Sequence, residues 1–369
     1  MKKYSDIVIL VLIIFLLVSI PISAKIDIGG ELNVSLVNII DNEGQISTYL
    51  QESLDLELFL PTLNNTQAKF EIYLFNNPLS GGFNYLIKKL YLNHRFDKLH
   101  LTVGRQPISW SFGSMLNPVD FSLGAMVMEE ETGAKYQDAI EGYVPLNWST
   151  SVSVLVAFPE NSEDIKWGLR GRTVIEGYDL TLNYVREPER ETMGMIIPAS
   201  QRIGFTGKGD LGPLGVYGAL GYYFQDHNSG SFAYLIGGDY SYFFETGNKI
   251  YFQLEYLSMA KSDLPSILGP FFSGSITDNL DENIGLLLGL VNYGINEFSQ
   301  VNLMAISSLN DRSIIIIPGY TNQISNNLSY SLSTAVYFGK ENTLFGPGVS
   351  EGAQQMPKGM IKMGLTYTF

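Results

Sequence analysis

From Lys25 onward, segments that alternate apolar and polar residues with a period of two recur through to the last residue. Ile26, Ile28, Leu32, Val34 and Leu36 share one parity, against Asp27, Glu31, Asn33 and Ser35 on the other. Leu54, Leu56, Leu58 and Leu60 then stand against Ser53, Asp55 and Glu57, and Phe70, Ile72 and Leu74 against Lys69, Glu71 and Tyr73. That period belongs to a β-strand with one apolar and one polar face. About eighteen such segments recur between 26–37 and 358–369, each roughly as long as a tilted strand must be to cross a bilayer. The unbroken apolar run Ile314–Ile317 has no assignable parity, so sixteen strands are an alternative count.

The connections sort into two classes. After even-numbered segments come tight turns such as Pro61–Thr66, Asp97–Lys98, Glu176–Gly177 and Tyr293–Asn296. After most odd-numbered segments come longer loops: Arg105–Ala134, Glu187–Ala199, Lys261–Asp281 and Lys340–Pro357. Short turns on one rim and long loops on the other predict an all-β fold, a transmembrane antiparallel up-and-down β-barrel with periplasmic turns and outer loops. A two-sheet sandwich also alternates along its strands, but its connections have no reason to alternate in length.

Residues 25–369 are expected to form that single domain. Ahead of it, Lys2 and Lys3, the apolar run Ile7–Val18 and the small residues Ser23 and Ala24 have the layout of a secretory signal peptide over 1–24. The net charge of −14 disfavours a nucleic-acid partner. Cysteine is absent, and the three histidines, His94, His100 and His227, have no metal-ligand spacing, so neither a metal nor another cofactor is implied. His227 beside Asp226, with Ser229 nearby, is the nearest thing to a catalytic set, but adjacent loop residues do not converge as a triad must. The expectation is therefore not an enzyme.

Two stretches carry a family likeness. In the last segment Ile361, Met363, Leu365, Tyr367 and Phe369 share one parity, and Lys362, Gly364, Tyr367 and the terminal Phe369 resemble the closing strand of bacterial outer-membrane β-barrel proteins. That resemblance implies an outer-membrane location and an end signal read by the barrel-assembly machinery. Val103-Gly104-Arg105-Gln106, Trp110 and Asn117-Pro118-Val119-Asp120 resemble the strand-to-loop segment of porin-like families, including the alginate-export-like barrels, although Ser111 stands where those segments commonly have glycine.

In such a barrel the apolar parity faces lipid and the other lines a lumen. Lys166, Arg170 and Arg172 on one segment, with Arg202 and Lys208 two segments on, predict a basic stripe on the pore wall. Glu31, Asp55, Glu57 and Glu71 predict an acidic wall opposite. Ser149, Ser151 and Ser153, Gly215, Ala219 and Gly221, and Ser329, Ser331 and Ser333 place small side chains inward and keep the lumen open. Loop 106–134 is the longest break in the pattern, and Trp110, Phe112, Met115, Leu116, Phe121, Leu123, Met126 and Met128 would be costly to leave in water. It is expected to fold toward the lumen, with Arg105, Asp120, Glu129, Glu130 and Glu131 at a constriction. Capping the outer mouth or packing on a neighbouring subunit is the alternative for the loop.

The pattern thus points to a porin, a passive channel for small hydrophilic solutes or ions set in outer-membrane lipid, as a homotrimer or a monomer. An export conduit for an acidic polysaccharide, favoured by the basic stripe, and a non-conducting surface or assembly barrel are the alternatives.

Overall fold

The computed structural model describes residues 26–369 except 77–81, 111, 113, 123–134, 160–163, 193–194, 198, 226–227, 262–263, 265–281, 341–342 and 347–356. The expected signal peptide lies outside the described residues. The strands are β1 (Asp27–Ile40), β2 (Ile46–Phe59), β3 (Thr66–Asn76), β4 (Phe83–Arg95), β5 (His100–Ile108), β6 (Lys135–Pro145), β7 (Thr150–Ala157), β8 (Lys166–Ile175), β9 (Tyr178–Glu187), β10 (Arg190–Thr192), β11 (Met195–Ile197), β12 (Ser200–Leu211), β13 (Leu214–Gln225), β14 (Asn228–Phe243), β15 (Lys249–Ala260), β16 (Asn283–Asn296), β17 (Ser299–Ser308), β18 (Ser313–Ser325), β19 (Leu328–Phe338) and β20 (Gly359–Thr368). All but β10 and β11 belong to one antiparallel 18-stranded sheet, which closes because β1 pairs with both β2 and β20. Gly30 and Phe369 complete the closure by exchanging backbone hydrogen bonds of 3.1 and 3.0 Å. Closure removes the sheet edges that lipid cannot satisfy.

Every predicted segment falls on a barrel strand. The differences are local. Strand β16 continues to Asn296 through a bulge, so the turn expected at Tyr293–Asn296 lies at Glu297–Phe298. The β10–β11 hairpin, inside the loop between β9 and β12, had no alternation long enough to announce it.

Leu32, Val34, Val152, Val154, Leu182, Leu220, Ile236 and Leu254 are exposed, while the residues between them, such as Ser35, Ser153, Thr181, Ala219, Leu235 and Glu255, are buried. An apolar belt carried all round a closed barrel fits hydrocarbon and no other solvent. The run Ile314–Ile317 hid its parity because both faces are apolar there: Ile315, opposite Ile306, points inward and is 1% exposed.

Deleting Phe369 removes two backbone hydrogen bonds, each contributing roughly 0.5–1.5 kcal/mol. The temperature at which the folded band disappears on unheated detergent gels should fall relative to the full chain; an unchanged temperature would mean that the terminal residue adds nothing to closure.

Candidate functional site: the barrel interior and its folded loop

Beyond Ile108 the chain does not stay at the rim. The described residues of 109–122 lie along the interior face of β8, β9, β12, β13 and β15, where Trp110, Leu116, Val119 and Phe121 are all buried. The wall makes room with glycine. A Cβ at Gly204 would lie 2.5 Å from Val119 Cβ, one at Gly221 2.6 Å from Val119 Cγ1, and one at Gly168 2.9 Å from the Trp110 ring. Within the loop, Asp120 Oδ1 accepts the Trp110 and Ser122 amides at 3.0 and 3.1 Å, and Asn117 Nδ2 donates to the Trp110 carbonyl at 3.2 Å. These Asx-type bonds give the segment a fixed shape of its own.

Loop backbone inside a barrel needs partners, because buried amides and carbonyls without them are expensive. Glu255 on β15, 0% exposed, accepts the amides of Met115 (2.8 Å) and Leu116 (3.4 Å), the Tyr217 hydroxyl (2.8 Å) and the Gln253 side-chain amide (2.7 Å). The carbonyls are met from the other side. Asn183 Nδ2 donates to Val119 O at 3.0 Å, the Tyr223 hydroxyl to Pro118 O, and the Arg202 guanidinium to Asp120 O and to Phe121 O at 3.2 Å.

The expected basic stripe is thereby occupied. Lys166 and Arg202, 3% and 2% exposed, both bind Glu187 Oε1, at 2.9 and 2.6 Å. Lys166 Nζ also stands over the Phe121 ring at 4.6 Å, and Arg170 over the Trp110 ring at 5.9 Å. Arg172 grips Asp179 through Nε and Nη2, and Lys208 Nζ lies 6.0 Å from the Tyr217 ring. Glu187, expected to open an outer loop, ends β9 instead, on the parity of the buried Val185.

The acidic wall needs a larger correction. Glu57 pairs with Lys69 at 3.4 Å, Asp55 with Lys88, and Glu71 with Lys88 at 3.3 Å and Lys89 at 2.6 Å. A bulge opposite Glu71 and Ile72 breaks the strict alternation of β4, and so consecutive lysines reach the same carboxylate. A period of two puts Lys88 and Lys89 on opposite faces, which is why sequence reading missed them. Glu31 sits across from Asp55 in register and accepts a 3.4 Å bond from the Thr368 hydroxyl.

Arg105, expected at the constriction, takes the other parity of β5. It shares the parity of exposed Val103, stands opposite Leu90, and its guanidinium binds Asp138 at 3.1 Å on the exterior face. Asp120 spends one carboxylate oxygen on its own loop, as described above. Glu129, Glu130 and Glu131 lie outside the described residues. Of the proposed end signal, Lys362 and Gly364 take the interior parity and Tyr367 and Phe369 the exterior one, with the last two rings 6.3 Å apart.

Leu264 and Phe345, from two further connections, are fully buried in the cluster that holds Leu116, Val119, Leu257, Leu286, Ile306 and Ile315. Asp311, in the turn between β17 and β18, holds the second of these connections by accepting the Leu344 amide at 2.6 Å, while Ser313 Oγ accepts the Phe345 amide at 3.1 Å. Burial works against ionising Asp311, but the Leu344 amide, the Ser313 and Ser308 hydroxyls and the Ser313 amide outweigh it and hold the carboxyl below the usual aspartate value. Among the described residues, no group of three or more histidines and carboxylates could hold a metal ion.

Neither a protein family nor a curated protein matches the sequence. Solved structures do match in fold, each over 94% of this chain. Wzi, an Escherichia coli outer-membrane protein described as a carbohydrate-binding barrel involved in group 1 capsule assembly, has a TM-score of 0.59 at 13% identity over 85% of its length. Acinetobacter baumannii OccAB3 gives 0.57 at 10% identity over 99%. A BenF-like porin from Pseudomonas fluorescens Pf-5 gives 0.56 at 9% identity over 98%. This chain has the fold of bacterial outer-membrane β-barrels.

Glu255→Ala leaves two loop amides, a hydroxyl and a side-chain amide without their acceptor, and at roughly 1.5–3 kcal/mol per bond to a charged group the loop should detach. Limited proteolysis should cut within 109–134 faster in Glu255→Ala than in Glu255→Gln, which keeps an acceptor oxygen; equal rates in both variants and the parent would contradict the anchoring role. For Asp311, a lowered folded pKa means that its contribution is complete above the unfolded value of about 3.9 and is lost as pH falls through the lower folded value. Cleavage near 340–346 should therefore rise on acidification below pH ~4 in the parent, and Asp311→Asn should cleave readily at neutral pH with little further change.

Proposed function

We propose that the protein is an outer-membrane channel through which small hydrophilic solutes diffuse passively, with the inward-folded loop narrowing one side of the lumen. The observation that carries this reading is a contrast between two halves of the interior. Behind the loop, Glu255, Arg202, Lys166, Thr206 and Glu187 are closed off from solvent. On β19, β20, β1 and β2, the interior-facing Ser329, Ser331, Ser333, Lys362, Thr366, Asn33, Ser53 and Asp55 keep partial exposure. Small hydroxyl side chains along that half leave an eccentric water path, and a barrel of this strand number is wide enough to hold one.

The charges on the open side favour low selectivity. Asp55, Glu57 and Glu71 are each matched by lysine, so that the wall presents ion pairs and not a ring of one sign. Three of the five stripe residues are drawn into ion pairs, Lys166 and Arg202 with Glu187 and Arg172 with Asp179, which weakens the case for polyanion export.

Purified protein in a planar bilayer should give stepwise conductance with a reversal potential close to zero in a potassium chloride gradient. Deleting residues 111–128 should raise the conductance step. A protein that inserts and passes no current would overturn the channel, and an unchanged step in the deletion would remove the loop from it.

A further inference from the structure

Two hairpins on the short-turn rim are bulged. The pairing of β16 with β17 shifts register between Gly294 and Asn296, and that of β18 with β19 between Gln323 and Ser325. A bulge bends its strand and re-aims the residues beside it. Between the two turns lies a concavity of ≈ 420 Å³, within the range of about 300–1,000 Å³ of small-molecule sites. The connections between strands on this rim are all described. The floor is the β17–β18 pair, where Gln300 stands opposite Thr321 and the Gln323 amide donates to the Phe298 carbonyl at 2.7 Å.

Ten of the fourteen residues around the concavity carry an amide or a hydroxyl, and Glu297 carries the one charge. The turn residues use theirs locally: Asn296 Oδ1 accepts the Phe298 amide at 2.9 Å, and Asn327 Nδ2 donates to the Thr368 carbonyl at 2.7 Å. Gln300, Thr321, Gln323 and Ser329 lie on the interior parity of Ile306, Ile315 and Ser331, and their side chains make no hydrogen bond among the described residues. They extend the partly exposed hydroxyl wall of β19 to the periplasmic end of the lumen.

Such a set of groups selects by chemistry. An ion would exchange its water for neutral partners that leave its charge unbalanced, and an apolar solute would strand the amides without partners. A solute covered in hydroxyls meets each amide oxygen with a donor and each amide N–H with an acceptor. Phe298, 57% exposed beside them, adds a flat ring for the C–H face of a sugar. We infer that this concavity is a binding site for a short neutral saccharide, held by Gln300, Thr321, Gln323 and Ser329 and stacked on Phe298. The place of the site on a solute's path rests on the channel proposed above, while its occupancy can be read without any current.

Isothermal titration calorimetry of the purified barrel with cellobiose gives that reading. The parent should bind the disaccharide, and should bind digalacturonate, of similar size but doubly charged, at least about fivefold more weakly, the worth of one unmet polar group. Gln300→Leu combined with Gln323→Leu removes both amides at similar side-chain size, and its affinity for cellobiose should fall about fivefold or more, the loss expected of two neutral hydrogen bonds. Phe298→Ala should also bind more weakly, with folding of each variant checked by its unheated gel band. Absence of binding by the parent overturns the site, and so does equal affinity in the parent and the double variant or for the two sugars. A parent that conducts in the bilayer without binding cellobiose removes the site and leaves the channel; one that binds it without conducting keeps the site and removes the channel.

Discussion

A buried carboxylate that accepts loop amides is the interaction on which the interior depends. Closing a sheet into a barrel satisfies every strand but leaves a wide cavity, and any chain folded into it arrives with unpaired backbone. Glu255 supplies the acceptor for Met115 and Leu116, and Arg202 supplies the donor for Asp120 and Phe121. Both side chains would be costly in so dry a place without those partners, and the loop would be costly there without them. Each stabilises the other, and glycines at 168, 204 and 221 let them approach.

The barrel itself was legible in the sequence because one physical rule governs its whole length: lipid outside and a wetter interior impose a period of two on nearly every strand. Strand number and the long-loop rim follow from that rule and from connection lengths. Where the rule lapses, reading lapses with it. The Ile314–Ile317 run is apolar on both sides because the inner face there packs against loop residues and not water. The bulge in β4 put two consecutive lysines on a single carboxylate, a displacement that leaves no mark in a two-residue pattern.

The candidate site was legible in its residues more than in their roles. Trp110, Leu116 and Phe121 announced a loop that needed a wall, and the basic residues of β8 and β12 were found on the interior side. Their partners were not found, since ion pairs such as Lys166 with Glu187 join residues 21 apart across strands whose register no single sequence states. Arg105 shows the opposite case: its parity with Val103 puts it on the exterior side although it adjoins the folded loop in sequence. The described interior wall has unequal halves, one buried against residues of the loop and paired charge, the other lined by partly exposed serine and asparagine.

Because the chain has no cysteine, single thiols can report on that asymmetry directly. A membrane-impermeant, positively charged methanethiosulfonate reagent should modify Ser53→Cys and Ser333→Cys rapidly in the folded barrel, and should leave Thr206→Cys and Ser153→Cys unmodified until the barrel is unfolded. Equal rates at all four positions, or protection at Ser53 and Ser333, would contradict a water path running beside the folded loop.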